Sequence, residues 1–246
     1  MSSISTRSVR RWGAGLAAAA LATGVLSGCG VAGTEFRPGV AADVGDVSIS
    51  MNDIDEAVDG ACIYFTDNRQ EGASPFPRWE VRQQLAQLSI QRAVVEQLVD
   101  ETGAELGGVY ETSLAQLDAS YGDLPAEQSD GLILGYEAAT YVDLGLAAVG
   151  QALLADEGQS NVEQQVAGER GLVAFGEWVA DHDVEINPIF SLALVEGELV
   201  PVTDDVSVPQ SVFAAQSKTS STSTDPDKQA ARAAYVKSLP SEQLCG

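Results

Sequence analysis

Histidine, cysteine and basic residues are scarce in this chain. It has one histidine, three cysteines, and 13 lysines and arginines against 36 aspartates and glutamates. A single histidine, His182, excludes a multi-histidine metal site. A formal net charge of −23 repels nucleic acid and anionic lipid headgroups, so neither is predicted as a direct partner. We expect the acidic residues to form a well-hydrated surface; a preference for basic or unfolded clients, or for loosely held cations, is the alternative.

The single histidine lies between two acidic residues, Asp181 and Asp183. An acid–histidine–acid triplet can position a general base, and a third, enzymatic hypothesis rests on it. No Gly-x-Ser-x-Gly nucleophile motif accompanies the triplet. The favoured interpretation of His182 is a solvated helix end, where an imidazole is favourable. We therefore predict no catalytic residue, no metal, no cofactor and no enzymatic activity.

The N-terminus has the pattern of a secretory signal. Three arginines without an acidic residue (Arg7, Arg10 and Arg11) precede an apolar run of small residues over 13–26. This run is too short to count as a membrane-spanning helix. It ends in Leu26-Ser27-Gly28-Cys29, which resembles the lipobox of bacterial lipoproteins.

The lipobox resemblance implies that residues 1–28 are a signal peptide that is cut before Cys29. The thiol of Cys29 receives a diacylglycerol before the cut, and the new N-terminus then receives a fatty acid such as palmitate. Two or three acyl chains make a stable anchor, whereas one holds only marginally. The resemblance thus predicts lipid anchoring to the extracytoplasmic face of the cell membrane, with 29–40 as a tether. An ordinary signal peptide followed by a chance or buried cysteine is the alternative.

The other two cysteines, Cys62 and Cys245, are predicted to form a disulfide. If Cys29 is acylated, they are the thiols that remain, in a compartment where disulfides form. They would close a loop that spans most of the chain, which the chain-entropy model values at about 5 kcal/mol. Two buried free cysteines are the alternative.

Apolar residues at helical spacing predict most of the chain to be helical. The strongest helix runs from Trp79 to Thr102, with Gly103 as its C-terminal stop. Its apolar face comprises Val81, Leu85, Leu88, Val95 and Leu98. Further helices are predicted after the capping residue Ser50, over 110–121 and 130–156, after Asn161, and over 228–237. Acidic residues and four glycines within 130–156 argue against a membrane span.

The first helix has an acidic cluster ahead of Gly60, which comprises Asp53, Asp55, Glu56 and Asp59. Such a cluster suggests an EF-hand calcium loop, which needs acids or amides at loop positions one, three and five and a glycine at position six. No alignment of this segment with such a loop supplies that set. We therefore predict a solvated helix face. Ile54, Val58, Cys62 and Phe65 form the opposite, apolar face of the helix.

Three segments together resemble the SurA-like N-terminal domains of extracytoplasmic chaperones and parvulin-type isomerases. Val44-Gly45-Asp46 with Ile49-Ser50 heads the first helix, and Gly103-Ala104-Glu105-Leu106-Gly107 follows the long helix. Ile186-Asn187-Pro188-Ile189-Phe190-Ser191 falls where that family often has Asn-Pro-Arg-Phe-Gly, with Ile189 and Ser191 replacing the arginine and the glycine. The resemblance covers 41–110 and 184–210.

The resemblance implies a mainly helical domain over 41–212, with a small antiparallel sheet formed by an early and a late strand. A Ser/Thr-rich linker over 213–227 and a C-terminal helix and tail over 228–246, pinned back to the domain, complete the chain. The parvulin catalytic domain is lacking, because 110–182 reads as helices with His182 at their end.

The family then implies chaperone-like binding of unfolded or exported polypeptides without catalysis. The alternative is an envelope lipoprotein that binds a small molecule or a specific envelope protein. An open apolar cleft between helices would favour the first function, and a deep enclosed pocket the second.

Overall fold

The structure is a computed structural model that describes residues 37–202 and 224–246. The predicted signal peptide, Cys29 and most of the predicted linker lie outside these residues. The described chain is mainly helical with small antiparallel sheets, which confirms the predicted fold class.

The described residues form six α-helices and seven short strands. The helices are α1 (Met51–Asp67), α2 (Arg78–Thr102), α3 (Gly107–Tyr121), α4 (Ala126–Asp156), α5 (Gln164–Asp181) and α6 (Pro226–Ser238). The strands are β1 (Val40–Val44), β2 (Val47–Ser50), β3 (Phe76–Pro77), β4 (Val184–Ile186), β5 (Leu192–Val195), β6 (Glu198–Pro201) and β7 (Leu244–Cys245).

An early hairpin and a late strand form a three-stranded antiparallel sheet in the order β2-β1-β4. Gly45, at a φ of +54°, makes the turn between β1 and β2, a conformation that favours glycine. Val44 of β1 lies opposite Val184 of β4. The side-chain amide of Asn187 donates to the carbonyl of Val40 over 3.1 Å. The predicted pairing of an early with a late strand is therefore confirmed.

The boundaries of α1 and α2 follow local capping rules. Ser50 accepts a hydrogen bond from the backbone of Asp53 over 3.4 Å and so caps the start of α1. Gly103 adopts a left-handed conformation with a φ of +63° and ends α2. Both positions agree with the sequence predictions.

A single large core lies between the sheet and helices α1, α2, α4 and α5. Ile54, Val58 and Cys62 of α1 are buried, which confirms three residues of its predicted apolar face, whereas the fourth, Phe65, is half-buried. The largest side chains that are almost inaccessible to solvent are Val44, Ile54, Val58, Pro77, Ile90, Val94, Val95, Val149 and Cys245.

Glycines let α4 approach its neighbours at backbone distance. A Cβ atom on Gly150 would overlap the carbonyl oxygen of Ala167 in α5, and one on Gly171 would overlap that of Leu146 in α4. A Cβ atom on Gly131 would likewise overlap the carbonyl oxygen of Ala57 in α1. These close crossings fix α4 between α1 and α5.

By length and composition, α4 is the one helix among residues 37–202 and 224–246 that could cross a membrane, with a mean hydropathy of 1.4 in its most apolar window. Helices at the centre of a folded domain can meet the same criterion. In this structure α4 packs against α1, α2, α3 and α5.

Several predicted boundaries differ from the structure. The helix expected over 130–156 begins at Ala126, immediately after Pro125, because proline fixes an extended N-cap. Asn161 does not cap α5: it has a φ of +61°, and the helix begins at Gln164. Val40, at the end of the predicted tether, belongs to β1, and Pro226, at the end of the predicted linker, belongs to α6.

One pattern-based expectation about the late apolar residues is wrong. The alternation of Phe190, Leu192 and Leu194 predicts a strand that includes Phe190, but Phe190 ends a short 3-10 turn over Pro188–Phe190. The turn forms because Asn187 accepts a hydrogen bond from the backbone of Ile189 over 3.1 Å and proline suits the first position.

The C-terminal segment folds back onto the domain, as predicted. Strand β7 pairs with β3, so that Cys245 lies opposite Phe76. Arg69 donates to the carbonyl of Gly246 over 2.9 Å. On α6, Arg232 forms a two-pronged ion pair with Glu80 at the start of α2. The end of the chain is thereby attached to both α1 and α2.

Candidate functional site

His182 lies at the C-terminal end of α5 and is engaged in structural contacts. Its ring stacks on that of Trp178, with centroids 4.0 Å apart. Its Nδ1 lies 2.8 Å from the carbonyl of Trp178 and donates to it, and its Nε2 lies 4.0 Å from Glu101. The predicted position at a helix end is confirmed. The structure records neither Asp181 nor Asp183 in contact with the imidazole ring of His182.

Cys62 and Cys245 lie at disulfide distance, with their Cα atoms 4.6 Å apart. Cys62 points inward from α1 and Cys245 is fully buried, so the pair lies beneath the surface. Cys29, the predicted lipidation site, lies outside the described residues. No group of three or more potential metal ligands is found within 37–202 and 224–246.

An apolar cleft of about 200 Å³ opens between α1, α2 and α4. Its floor is formed by buried residues such as Leu85 and Leu132, while Gln84 and Tyr136 at its edge are exposed. The cleft is therefore shallow and open rather than enclosed. The residues that line it are Ala61, Phe65, Val81, Gln84, Leu85, Leu88, Gly131, Leu132, Gly135, Tyr136 and Ala139.

Helix α3 has no buried residue and is held beside the cleft by tyrosines at both of its ends. At one end the ring of Tyr121 stacks on that of Tyr136, with centroids 5.3 Å apart. The hydrogen bond between these two phenols, together with burial, raises the pKa of Tyr121 to about 12. Because this pKa lies far above physiological pH, the phenol of Tyr121 is neutral there.

At the other end of α3, Tyr110 joins a charged network between α2 and α4. Its hydroxyl donates to Glu137 over 3.3 Å, and burial together with the charge of Glu137 raises the pKa of Tyr110. Arg92 forms ion pairs with Glu96 at 2.6 Å and with Glu137 at 3.0 Å. Burial opposes the charge on Arg92, but its bond to Glu96 and the nearby carboxylates outweigh burial and raise its pKa. The guanidinium also lies over the ring of Tyr141.

A second and larger groove, of about 910 Å³, runs along α1 on the other side of its crossing with α4. We call it the acidic groove. Its lining residues come from α1, from the start of α2, from the first turns of α4 and from the C-terminal segment. They are Asp53, Glu56, Ala57, Asp59, Gly60, Cys62, Ile63, Thr66, Asp67, Arg78, Glu127, Asp130, Leu134, Ser241, Glu242 and Leu244.

The sequence alone indicates neither concavity, although several of the residues that line them belong to its apolar and acidic patterns. Val81 and Leu88 were expected to be core residues of α2, but they line the apolar cleft. Asp53, Glu56 and Asp59 were expected on a solvated helix face; they are exposed, but they form one side of the acidic groove. Asp55, the remaining acid of that cluster, pairs instead with Arg82 at 2.6 Å.

Comparison with known proteins adds no family assignment. No protein-family model matches the chain, and neither a curated protein nor a solved structure matches it.

Proposed function

We propose that this protein is a membrane-anchored extracytoplasmic lipoprotein that binds unfolded or exported polypeptides without catalysing a reaction. The observation that carries the proposal is the apolar cleft, because an open apolar surface on a rigid helical frame can take side chains of an unfolded segment. A small-molecule site would bury most of its ligand in an enclosed pocket.

The frame around the cleft supports this function. The helices that line it belong to the main core and carry several of its most deeply buried side chains. Leu85 connects the cleft to the core, since it belongs to the core and also forms part of the cleft floor. The remaining surface is strongly acidic, which keeps a protein with an exposed apolar site soluble.

The resemblance to SurA-like domains supports the same function, since that family binds extended segments. The placement of His182 favours binding without chemistry, because its Nδ1 is committed to the end of α5. The lipid anchor is proposed on the lipobox resemblance at Cys29 alone.

The anchor is tested by replacing Cys29 with alanine in the full-length chain expressed in a bacterial host. Because the thiol carries the diacylglycerol and the cut follows its addition, we expect the wild-type protein to be cut before Cys29 and to enter the detergent phase after phase partitioning, and Cys29→Ala to keep residues 1–28. Intact mass of the processed wild-type protein should include the acyl chains. A processed wild-type protein without acyl chains, or a Cys29→Ala protein cut at the same position, would contradict lipid anchoring.

Polypeptide binding is tested on the mature domain, with Cys29 replaced by serine to keep it soluble. We expect an equimolar amount to suppress aggregation of a reduced, unfolding model protein that is close to neutral. Leu88→Glu places a charge on the lining of the cleft and should abolish most of the suppression, because burying an unpaired charge against an apolar segment is costly.

The matched control is Leu172→Glu, the same change at an exposed leucine of α5 outside the cleft. This variant should retain wild-type suppression, and circular dichroism should show both variants folded. No suppression by the wild-type domain would overturn the proposed function. Equal suppression by Leu88→Glu would place polypeptide binding elsewhere on the surface and overturn the role of the cleft.

A further inference from the structure

The acidic groove is a second concave surface, on the opposite side of the α1–α4 crossing from the apolar cleft. Seven acidic residues line it, and Arg78 is the only basic residue among the lining side chains. Arg78 is already engaged, since it pairs with Asp59. Asp67 accepts a hydrogen bond from the neutral amide of Gln128 over 3.1 Å. Within 37–202 and 224–246, the structure records no basic partner for Asp67 or for the other five carboxylates.

The floor of the groove is apolar, and this separates it from a merely acidic stretch of surface. Ala57 and Gly60 form its base, and Ile63 of α1 is 39% exposed within it. Leu134 of α4 and Leu244 of the C-terminal segment add apolar side chains to the lining. Carboxylates above a low-dielectric floor concentrate the negative potential inside the groove.

A groove with carboxylates above an apolar floor matches the side chains of lysine and arginine. Their aliphatic stems pack along apolar surface while their charged ends stay near water, where carboxylates can receive them. A bare metal ion would use the carboxylates but not the apolar floor.

The length of the groove favours a polypeptide over a small cation. It follows α1 from Asp53 to Asp67, a distance of about 21 Å at 1.5 Å per helical residue. An extended chain rises about 3.3 Å per residue, so the groove has room for about six residues.

We propose that the acidic groove binds an extended polypeptide segment that carries lysine or arginine residues. The proposal concerns a different surface from the apolar cleft and goes beyond the proposed function. It assigns this surface a preference for basic sequence, in contrast to the apolar cleft, which carries no charged side chain.

The test measures the affinity of the mature domain for a fluorescent nonapeptide of three Lys-Leu-Ala repeats. The groove variant is Glu56→Lys with Asp130→Lys, two exposed positions on α1 and α4. The control variant is Glu111→Lys with Asp143→Lys, also exposed and outside the groove, so both variants change the net charge equally. Circular dichroism checks that each is folded.

We expect the groove variant to lose at least about tenfold in affinity, and the control variant less than about threefold, because only the first places cations beside the bound peptide. Raising the salt concentration should weaken binding to the wild-type domain. The same peptide with glutamate in place of lysine should not bind.

Equal losses in the two variants would show that overall charge alone attracts the peptide, and would overturn the proposal. Spermidine that bound as tightly as the peptide and displaced it would show that the groove takes a small polycation, which also overturns it. Aggregation suppression of the near-neutral client by the groove variant should stay at the wild-type level, so failure of this proposal is distinguishable from failure of the proposed function.

Discussion

Replacing Gly150 with alanine is expected to destabilise the protein by about 3 kcal/mol or more, although alanine is the better helix former. A Cβ atom on Gly150 would overlap the carbonyl oxygen of Ala167 and lie 2.9 Å from the amide nitrogen of Gly171. Both are main-chain atoms of α5, so relief requires movement of a whole helix. Denaturant titration followed by circular dichroism gives the change in unfolding free energy.

Gly168→Ala is the matched control on the partner helix. Nothing lies within 4 Å of a Cβ atom at this position, so the helix propensity of alanine should act alone. We expect this variant to be more stable than the wild type by about 0.5–1 kcal/mol. If Gly150→Ala proved as stable as Gly168→Ala, α4 and α5 would not approach as closely as the structure indicates.

The same close approach determines where the two concave surfaces lie. Gly131 of α4 and Gly60 of α1 allow those helices to cross at backbone distance. The apolar cleft and the acidic groove then open on the two sides of this crossing. The glycines of α4, which argue against a membrane span, therefore also have a packing role.

Hydrophobic periodicity predicted the elements well where the apolar residues of a helix face the core. The inner face of α1 is an example, because Ile54, Val58 and Cys62 are all buried. Here the local pattern is sufficient, since a helix must bury its apolar stripe against something. The sheet required more: its early and late strands are about 140 residues apart, and their pairing was expected only from the SurA-like resemblance.

Periodicity could not show whether a neighbouring element covers an apolar face completely. Val81 and Leu88 are spaced like core residues of α2, but α1 and α4 diverge beside them and leave the apolar cleft. On α5, Val166 and Val173 also have core spacing, yet they are 45% and 54% exposed. The extent of coverage depends on helix crossing, which in turn depends on the glycine contacts of α4.

The acidic groove is the clearest case of a site that local sequence cannot show. Asp53 and Glu56 were predicted correctly as exposed, but Asp130 and Glu242 face the same groove from distant parts of the chain. The chain reversal that brings Glu242 there depends on the attachment of the C-terminal segment. A pattern of charges along one helix contains no information about such a reversal.

Removing the link between Cys62 and Cys245 is expected to cost about 2–5 kcal/mol of unfolding free energy. The two residues are 183 positions apart, so the link constrains nearly the whole described chain when it is unfolded. It also holds the C-terminal segment, where β3 and β7 pair over two residues each and the small apolar cluster comprises Tyr235, Val236 and Leu239 with Leu244. Without the link, amide exchange over 226–246 should rise well before that of β1.

The test compares the mature domain, with Cys29 replaced by serine, with the same domain carrying Cys62→Ser and Cys245→Ser. In the first protein both thiols should be unreactive after denaturation without reductant, and adding reductant should lower its stability to that of the second. The double-serine variant should not respond to reductant. The disulfide would be contradicted by reactive thiols in the first protein after denaturation without reductant. It would also be contradicted if reductant left the stability of the first protein unchanged. Glu242 and Leu244 line the acidic groove, so release of the C-terminus should also weaken binding of the basic peptide. The C-terminal segment does not line the apolar cleft, so suppression of client aggregation should persist.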